Sequence, residues 1–559
     1  MRKVALAVAA LSLLTLASCV ALNPEGRLQN ALNAITAESL LAEIKTLSSD
    51  DFEGRKPGTE GEKKTVAFME AQFRKAGLKP GNPNGTYLQT VPLAGITSKP
   101  TAEFRAGGKT VAAEFRKDYV ATSTHFTPEV SVKDSEIVFV GYGVVAPEYE
   151  WNDYKDVDVR GKTVLMLVND PQIPDAKDPA KLDENMFRGN AMTYYGRWTY
   201  KYEIGAEKGA AAVMIIHETP LAGYPFSVLT DGAAGEHFTI QRPDNNEKHV
   251  PVQGWFTYDK AAELCKAAGL DLAALKREAL RKDFKPVTLT GARASFHIEN
   301  TLRKVESHNV VARLEGGDPA FANEYVIYTA HWDHFGRETG PEGDRIYHGA
   351  ADNASGSAGL LEMAHAYTKL FPRPKRSILF LSVTAEEQGL LGAEYYAEKP
   401  LYPLKNTLAD INMDGLNQWG RTKDMVLIGL GNSNLDDVAT EVLKSHERTV
   451  TGDAEPEKGF FYRSDHFEFA KQGVPALDPE AGIDYIGKPA GYGKEKRDYY
   501  TEHDYHKPSD EVKPDWDLSG AVEDLRILFE TGDRIADGQY YPLWNTGAEF
   551  KAKRDAMMK

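Results

Sequence analysis

The sequence is short of cysteine and of long apolar stretches. Only Cys19 and Cys265 occur among its 559 residues, and Cys19 closes a predicted targeting segment. Cys265 then has no partner, which excludes an intramolecular disulfide in the mature chain, and its helical neighbours predict a packed core thiol. Beyond the first residues no apolar run is long enough to span a bilayer. We find no internal repeat and no low-complexity tract.

An excess of basic residues is also missing. Lysine and arginine number 66 against 82 aspartates and glutamates, which gives a net charge of −16 and a pI of about 5.5. Nucleic acids and anionic membrane surfaces need a basic footprint, so both are excluded as partners. The length exceeds what one ordinary hydrophobic core supports, so we expect two or more domains.

The N-terminal residues have the features of a targeting segment. Arg2 and Lys3 precede an apolar stretch, residues 4–16, that is too short for a transmembrane helix. It ends in Leu-Ala-Ser-Cys at Cys19, which resembles a bacterial lipobox. We therefore predict a lipoprotein-type signal peptide over 1–19, export, and a lipid anchor on Cys19 at the cell envelope, facing the periplasm or the outside. The alternative is an ordinary signal peptide with a chance cysteine.

From about residue 300 the chain alternates apolar strand-like segments with helical periodicity. Near-continuous apolar strands in strand–helix–strand order indicate a parallel sheet covered on both faces. The sequence therefore predicts an α/β fold with a mixed, mostly parallel sheet covered by helices. The predicted strands are 308–314, 324–330, 376–383, 407–413 and 425–430, and the predicted helices are 354–370, 434–446 and 517–536.

The residues before 300 divide into two parts. Residues 28–125 are predicted to be the N-terminal part of the domain whose main part is 299–540. Between them, residues 126–298 have short apolar runs separated by Gly, Pro and Asp clusters, which predicts a β-rich inserted domain. Predicted helices before the insert are 36–47 and 59–77; predicted strands within it are 135–144, 162–169, 211–217 and 250–257, with a helical segment over 258–280.

A late segment, residues 484–505, has no clear period. It is rich in Gly, Lys and Tyr, and it leads into His506 and Pro508. Its glycines would make the segment mobile, and its tyrosines could line a pocket. We therefore predict a loop that serves as a lid or a pocket wall.

Imidazole and carboxylate side chains stand where predicted strands end or a predicted helix begins. In a parallel sheet such positions meet beyond the carboxyl ends of the strands. This ligand mix is the one that zinc and similar ions prefer. The residues are His331, Asp333, Asp352, Glu386, Glu387 and Asp414, with His506 in the late loop.

Each of these patterns alone has an ordinary structural explanation. A lone His-X-Asp is weak, an adjacent Glu pair is usually a solvated helix face, and a single Asp before a helix is often a cap. Their conjunction at one predicted sheet edge indicates a metal site. One residue of the pair Glu386 and Glu387 would bind metal, while the other acts as general base on a metal-bound water.

The order of the motifs resembles that of the zinc aminopeptidases of peptidase family M28. The resemblance covers most of 28–125 and 300–540, and the insert is similar to the protease-associated domain that many members carry at this point. It rests on His331-Trp332-Asp333, Asp352-Asn353-Ala354-Ser355-Gly356, Glu386-Glu387-Gln388-Gly389, Asp414 and His506-Lys507-Pro508-Ser509-Asp510, with Leu47 to Thr59 similar to the family's N-terminal segment.

The resemblance implies a two-zinc centre. His331 and Asp414 would bind one zinc, Glu387 and His506 the other, and Asp352 would bridge them. Glu386 would be the general base, and Asp333 would orient His331. The family also implies a cis peptide bond after Asp352, and Arg463-Ser464-Asp465-His466 resembles a segment that helps to shape the site.

The expected function is hydrolysis of N-terminal residues from peptides by an exported metalloexopeptidase. Relatives on the same fold are carboxypeptidases, which need a basic cluster for the terminal carboxylate, or glutaminyl cyclases with one zinc. Only Arg463 and Arg497 stand near the ligand motifs. A further alternative is a non-catalytic binding protein, against which the complete ligand set argues.

Overall fold

The protein is described here by a computed structural model covering residues 24–233, 235–340 and 343–559. The predicted signal peptide, 1–19, and its Cys19 lie outside the described residues. Within those ranges, no helix combines the length and the apolarity that a membrane crossing requires.

The chain forms two compact units. The first consists of the residues up to Val91 together with Glu306–Asp453 and Arg463–Lys559; the second consists of Pro92–Val305 and Ala454–Tyr462. The second unit thus takes in residues ahead of position 126, where the predicted insert starts, because their strands pair inside this unit. Tyr119–Thr122 pairs with Val252–Thr257, and residues 93–96 pair with His237–Ile240. A protease-associated identity for this unit stays a prediction.

A mixed sheet is the centre of the first unit. Four adjacent strands run parallel, and an antiparallel neighbour lies on each side of them. The mostly parallel sheet that was predicted is therefore present. The strands follow one another across the sheet in the order Thr449–Gly452, Asp424–Ile428, Ala476–Ala481, Thr407–Asn412, Tyr325–His331, Ser377–Val383 and the end of Val287–Leu314.

Both faces of the central strands are buried, which explains why Tyr325–His331 and Ser377–Val383 are mainly apolar. Tyr328 belongs to the core on one face, and its hydroxyl donates to the Leu528 carbonyl at 2.9 Å. Its neighbour Ile327 belongs to a separate core on the opposite face, together with Tyr396 and Phe469. Alternate residues of one strand thus enter different cores.

The helices of the first unit cover these faces. The predicted helices 36–47, 59–77, 354–370, 434–446 and 517–536 are all present, and their ends differ from the predicted ones by a few residues at most. The helices are Pro24–Leu32, Ala37–Leu47, Glu60–Lys75, Gly356–Tyr367, Leu391–Glu398, Leu435–Ser445, His466–Lys471, Tyr492–His503, Ser519–Ala536 and Lys551–Met557; short strands are Lys79–Pro80 and the hairpin Gly336–Gly340 with Gly343–Tyr347.

The prediction of a loop over 484–505 was wrong for its second half. Tyr492–His503 is a helix of almost uniformly polar residues, so hydrophobic periodicity does not reveal it. Lys494 Nζ and Asp498 Oδ2, one helical turn apart, lie 2.6 Å from each other. Such pairs stabilise an exposed helix without an apolar face.

The second unit is rich in strands, as predicted. The predicted helix 258–280 is divided in two, because Gly269 between the parts takes a positive φ of 80° that ends the first. The strands are Leu88–Ala106, Lys109–Val111, Tyr119–Thr122, Glu129–Phe139, Val145–Ala146, Trp151–Asn152, Thr163–Leu167, Ala212–His217, His237–Ile240, Val252–Thr257 and Val287–Leu314; the helices are Trp198–Glu207, Thr219–Ala222, Phe226–Gly232, Tyr258–Ala267 and Leu272–Glu278.

Candidate metal centre

Neighbouring parallel strands deliver their following residues to one edge of the sheet. His331 ends its strand and pairs with Val383, the last residue of the strand beside it. Glu386 comes three positions after Val383. On the other side, Thr407–Asn412 also runs parallel to the strand of His331, and Asp414 follows its end. The register therefore brings residues far apart in sequence to one place, as predicted.

Asp352 lies in an irregular turn, Ala350–Ser355, that leads into a helix. Its N–H donates to Asp510 Oδ2 at 3.1 Å. The amide of Asn353 donates to the Met413 carbonyl at 2.9 Å. The predicted cis peptide bond between Asp352 and Asn353 is confirmed. These hydrogen bonds tie the turn both to the strand end that precedes Asp414 and to the loop after His506.

The Asp352 carboxylate faces two histidines, one with each oxygen. Its Oδ1 lies 3.3 Å from His331 Nε2, and its Oδ2 lies 3.1 Å from His506 Nε2. His331 Nε2 is also 3.2 Å from Asp414 Oδ1, and His506 Nε2 is 3.1 Å from Glu387 Oε2. The five side chains thus form two groups that share Asp352.

Glu386 lies beside His331 rather than within the two groups. Its Oε2 is 3.9 Å from His331 Nε2, and its N–H donates to Asp333 Oδ1 at 3.0 Å. Asp333 is fully buried. Its carbonyl oxygen is 3.2 Å from His331 Nδ1, closer than its carboxylate at 3.8 Å. Asp333 therefore contacts His331 through its main chain and fixes the backbone of Glu386 through its side chain.

The adjacent carboxyls of Glu386 and Glu387 differ in their electrostatic surroundings. Burial raises the pKa of Glu386 well above its usual range, against the opposing effect of His331. For Glu387, burial and the charge of Asp352 favour a higher pKa. The histidines His506 and His334 have the larger and opposite effect, so the pKa of Glu387 is lowered to about 2. Two neighbouring carboxyls with separated pKa values suit different roles, one accepting a proton and the other remaining an anion.

The donor set fits divalent cations. Ligand atoms of His331, Asp352 and Asp414 all lie within 4.8 Å of one another, and so do those of His334, Asp352 and Glu387. Imidazole nitrogens and carboxylate oxygens are the usual ligands of zinc. Carboxylates packed so closely repel one another unless a cation lies between them. The residues present therefore match the ions that the resemblance implies.

Comparison with known sequences identifies this part of the chain. Residues 309–529 match the sequence model of peptidase family M28, and the match includes every residue of the two groups. The family match therefore applies to residues 309–529, which we call the M28 domain.

Curated relatives match part of the chain. Aminopeptidase NAALADL1 of Mus musculus is 31% identical over 179 residues, which are 30% of this chain and 22% of that protein. A probable zinc metalloprotease of Pyrenophora teres f. teres (strain 0-1) is 35% identical over 119 residues, 21% of this chain and 24% of that protein. The matched part spans less than a quarter of either relative.

A solved aminopeptidase from Aneurinibacillus sp. strain AM-1 aligns with 91% of this chain and 96% of its own, with a TM-score of 0.47 and 19% identity.

Two residues to which the sequence assigned no ligand or catalytic role stabilise the site of the M28 domain. His334 Nδ1 lies 2.5 Å from Glu387 Oε1, and its ring is buried. Asp510 accepts the N–H groups of both Ala351 and Asp352, at 3.0 and 3.1 Å. Asp510 ends the quoted motif that begins at His506, and His334 directly follows the motif His331-Trp332-Asp333, so their positions in the sequence pointed to them. The long-range contacts that define their roles leave no local pattern.

Two further residues border the M28 site. Ser464 Oγ donates to Asp414 Oδ2 at 2.6 Å, which gives a contact to the predicted supporting segment. The Tyr505 ring stacks on His506 with 3.7 Å between ring centroids. His348 is in neither group, and its Nε2 lies 2.9 Å from Asp50 Oδ1.

Proposed function

We propose that this protein is a zinc metallopeptidase that hydrolyses peptides from their free N-terminus, with two zinc ions per chain and Glu386 as general base. The observation that carries the proposal is the shared carboxylate. Asp352 turns one oxygen to His331 and the other to His506, so two ligand groups lie side by side. The family match, and the names of the two curated relatives as an aminopeptidase and a zinc metalloprotease, support peptide hydrolysis as the reaction class.

The ligand groups divide the residues between two ions. One ion would be held by His331, Asp352 and Asp414, and the other by Asp352, Glu387 and His506. Zinc, when bound, supplies Lewis-acid polarisation of the scissile carbonyl and lowers the pKa of water.

Glu386 is the residue best placed to move a proton. Its carboxyl lies next to both groups without belonging to either, and its backbone is fixed by Asp333. It accepts a proton from the attacking water as the water oxygen bonds to the carbonyl carbon. It then gives that proton to the amide nitrogen as the C–N bond breaks, so the products are an amino acid and a peptide shortened by one residue.

Tyr505 is the residue best placed to donate to the carbonyl oxygen. Partial burial raises the pKa of its phenol well above the usual range, although 43% of the residue is exposed, and the carboxylates of Asp352 and Glu387 add to this effect. The hydroxyl therefore stays protonated at neutral pH. A fixed O–H donor beside developing negative charge stabilises the transition state.

A free α-amine is the group that this centre would select. At neutral pH the amine is a cation, and the carboxylates of the centre attract it. Near the site, Arg497 lies 3.7 Å from Glu480, so its charge is already partnered by an acidic side chain. This supports an aminopeptidase over a carboxypeptidase, and two complete ligand groups support it over a one-zinc cyclase.

Replacing Glu386 tests the general-base assignment. We expect Glu386→Gln to lower turnover of an aminoacyl amide by about 100-fold or more, because general acid–base catalysis supplies factors of that size. Zinc content should stay at the wild-type value. Glu38→Gln, on an exposed helix position, is the control and should keep full activity. Unchanged turnover in Glu386→Gln would exclude the assignment.

We also propose that the protein is exported and tethered by a lipid on Cys19. The lipobox-like sequence before Cys19 supports this. Cells fed a fatty-acid analogue should label the wild-type protein, and Cys19→Ser should abolish the label and release the protein from the membrane fraction. Labelling that survives Cys19→Ser would contradict the proposal.

A further inference from the structure

The turn Asp50–Arg55, which precedes the family match, has an unusual backbone. Glu53, Gly54 and Arg55 all have positive φ values, of 48°, 66° and 53°. Side chains other than that of glycine avoid this region because Cβ crowds the following carbonyl. Such strain persists where surrounding contacts impose it, and it clusters at functional sites.

The Arg55 side chain explains the turn. It is completely buried, and its guanidinium donates to four carbonyl oxygens. Nε donates to Trp332 at 2.8 Å, Nη1 to Leu47 at 2.8 Å and to His348 at 2.7 Å, and Nη2 to Gly349 at 2.9 Å. A guanidinium offers five donors in a rigid fork, whereas an ammonium offers three on a flexible stem. This site therefore requires arginine rather than any cation.

Three of the four carbonyls that Arg55 binds belong to the two loops of the metal centre. Trp332 directly follows His331, and Gly349 comes three positions before Asp352. One side chain thus sets the distance between the loop that carries His331 and the loop that carries Asp352. These two residues contact each other at 3.3 Å, so a small shift of either loop would separate them.

The backbone of the turn adds two contacts to the same loops. The Arg55 carbonyl accepts the N–H of His334 at 3.4 Å. A Cβ on Gly54 would lie 2.5 Å from the carbonyl oxygens of both Gly336 and Tyr347, so only glycine permits this approach. The turn therefore packs closely against the end of the hairpin Gly336–Gly340 with Gly343–Tyr347, which lies between the two loops in the sequence.

We propose that Arg55 is a positioning residue of the metal centre, fixing the His331 loop against the Asp352 loop so that both contribute to one ion site. The inference deepens the proposed function and rests on it for the identity of the ligands. Arg55 does not contact the ions or the substrate. Its loss should therefore weaken metal binding through geometry.

Arg554 provides a matched control. It is also a buried arginine of the first unit, and it donates from Nη1 to the Leu404 carbonyl at 3.0 Å and from Nη2 to the Thr407 carbonyl at 2.9 Å. Thr407 begins the strand whose other end leads to Asp414. Arg554 therefore stabilises the backbone at the end of this strand that is farther from the metal centre.

The experiment compares Arg55→Lys with Arg554→Lys in the full-length protein. Zinc affinity is measured by competition with a chromophoric chelator, and the melting temperature of the metal-free protein is measured in parallel. We expect Arg55→Lys to weaken zinc binding by about 10-fold or more, as loss of residues that orient ligands does. Arg554→Lys should lower the melting temperature but keep the wild-type affinity. Wild-type affinity in Arg55→Lys, or equal loss in Arg554→Lys, would overturn the proposal.

A second variant gives a positive readout even if Arg55→Lys folds poorly. Glycine tolerates the positive φ at position 55, and Arg55→Gly leaves a cavity where the guanidinium was. Added methylguanidinium should therefore restore zinc affinity, whereas methylammonium should not. Equal effects of the two additives, or no restoration, would overturn the proposal. If the wild-type protein binds no zinc, the proposed function fails as well. Normal zinc binding by all variants would remove only the role of Arg55.

Discussion

The Asp414 carboxylate shows how the centre depends on one hydrogen bond. Ser464 Oγ holds Oδ2 at 2.6 Å, which leaves Oδ1 facing His331. We expect Ser464→Ala to lower zinc affinity by about 10-fold, because the carboxylate loses its orientation. Chelator competition measures this. Ser445→Ala is the control, since the Ser445 hydroxyl donates to the Val442 carbonyl of its own helix. Equal affinities in both variants would contradict the prediction.

Cys265 is a buried thiol, as the sequence predicted. Burial raises the pKa of its thiol to about 12, so almost no thiolate exists at neutral pH, and thiolate is the reactive form. In a Cys19→Ser background we expect no reaction of the native protein with an aromatic disulfide reagent. One thiol per chain should react after unfolding in denaturant. Rapid reaction of the native protein would show that this core opens.

Single residues of the site were predictable where chemistry coincides with a strand end. His331 ends a strand, Glu386 and Asp414 each follow one, and their residue types indicated metal chemistry before any contact was known. The partners that hold them were not predictable. Asp510 reaches Asp352 across 158 positions of sequence, and no periodic pattern encodes a hydrogen bond over that distance.

At the level of helices and strands, the long buried elements followed their predictions, whereas the short buried strand Ala476–Ala481 and the exposed helix Tyr492–His503 were not predicted. Ser377–Val383 was predicted because continuous apolar residues indicate a strand buried on both faces. The helix Tyr492–His503 was missed because its stability comes from polar side chains and its surroundings. The turn Asp50–Arg55 was known only as part of the segment Leu47 to Thr59 that is similar to the family's N-terminal segment, since its strained backbone depends on the carbonyls around Arg55.

The helix Ala37–Leu47 contains a carboxyl that should make stability depend on pH. Burial and the neighbouring Glu362 raise the pKa of Glu43 from 4.5 to about 8. Between these values the folded state keeps a proton that the unfolded state releases, so the free energy of unfolding falls as pH rises through this window. Glu43→Gln cannot titrate and should escape the loss.

Chemical denaturation at several pH values measures the effect. The stability of Glu43→Gln relative to wild type should rise by about 1 to 2 kcal/mol between pH 4.5 and pH 8, a partial value because the carboxyl is partly solvated. Glu38→Gln, on the exposed face of the same helix, should show no such trend. A constant difference between Glu43→Gln and wild type would contradict the prediction.

Across the whole molecule, the metal centre concentrates negative charge in the M28 domain. Asp352, Glu387 and Asp414 contribute ligand atoms to two groups within a few ångströms, in a chain whose net charge is already −16. Ions that bind only the folded state stabilise it by mass action. We therefore expect a chelator to lower the melting temperature by several degrees and added zinc to restore it. Asp352→Asn, which weakens both groups, should reduce the shift; an unchanged melting temperature in wild type would contradict the prediction.

The most direct test of the central claim is zinc content measured together with hydrolysis of a matched substrate panel. The mature protein is analysed for metal per chain, and the same preparation is assayed on aminoacyl amides with free and with blocked N-termini. The shared carboxylate of Asp352 predicts two zinc ions per chain, and the acidic centre predicts activity on free N-termini alone. One zinc per chain, or hydrolysis of the blocked substrates, would contradict the two-zinc aminopeptidase.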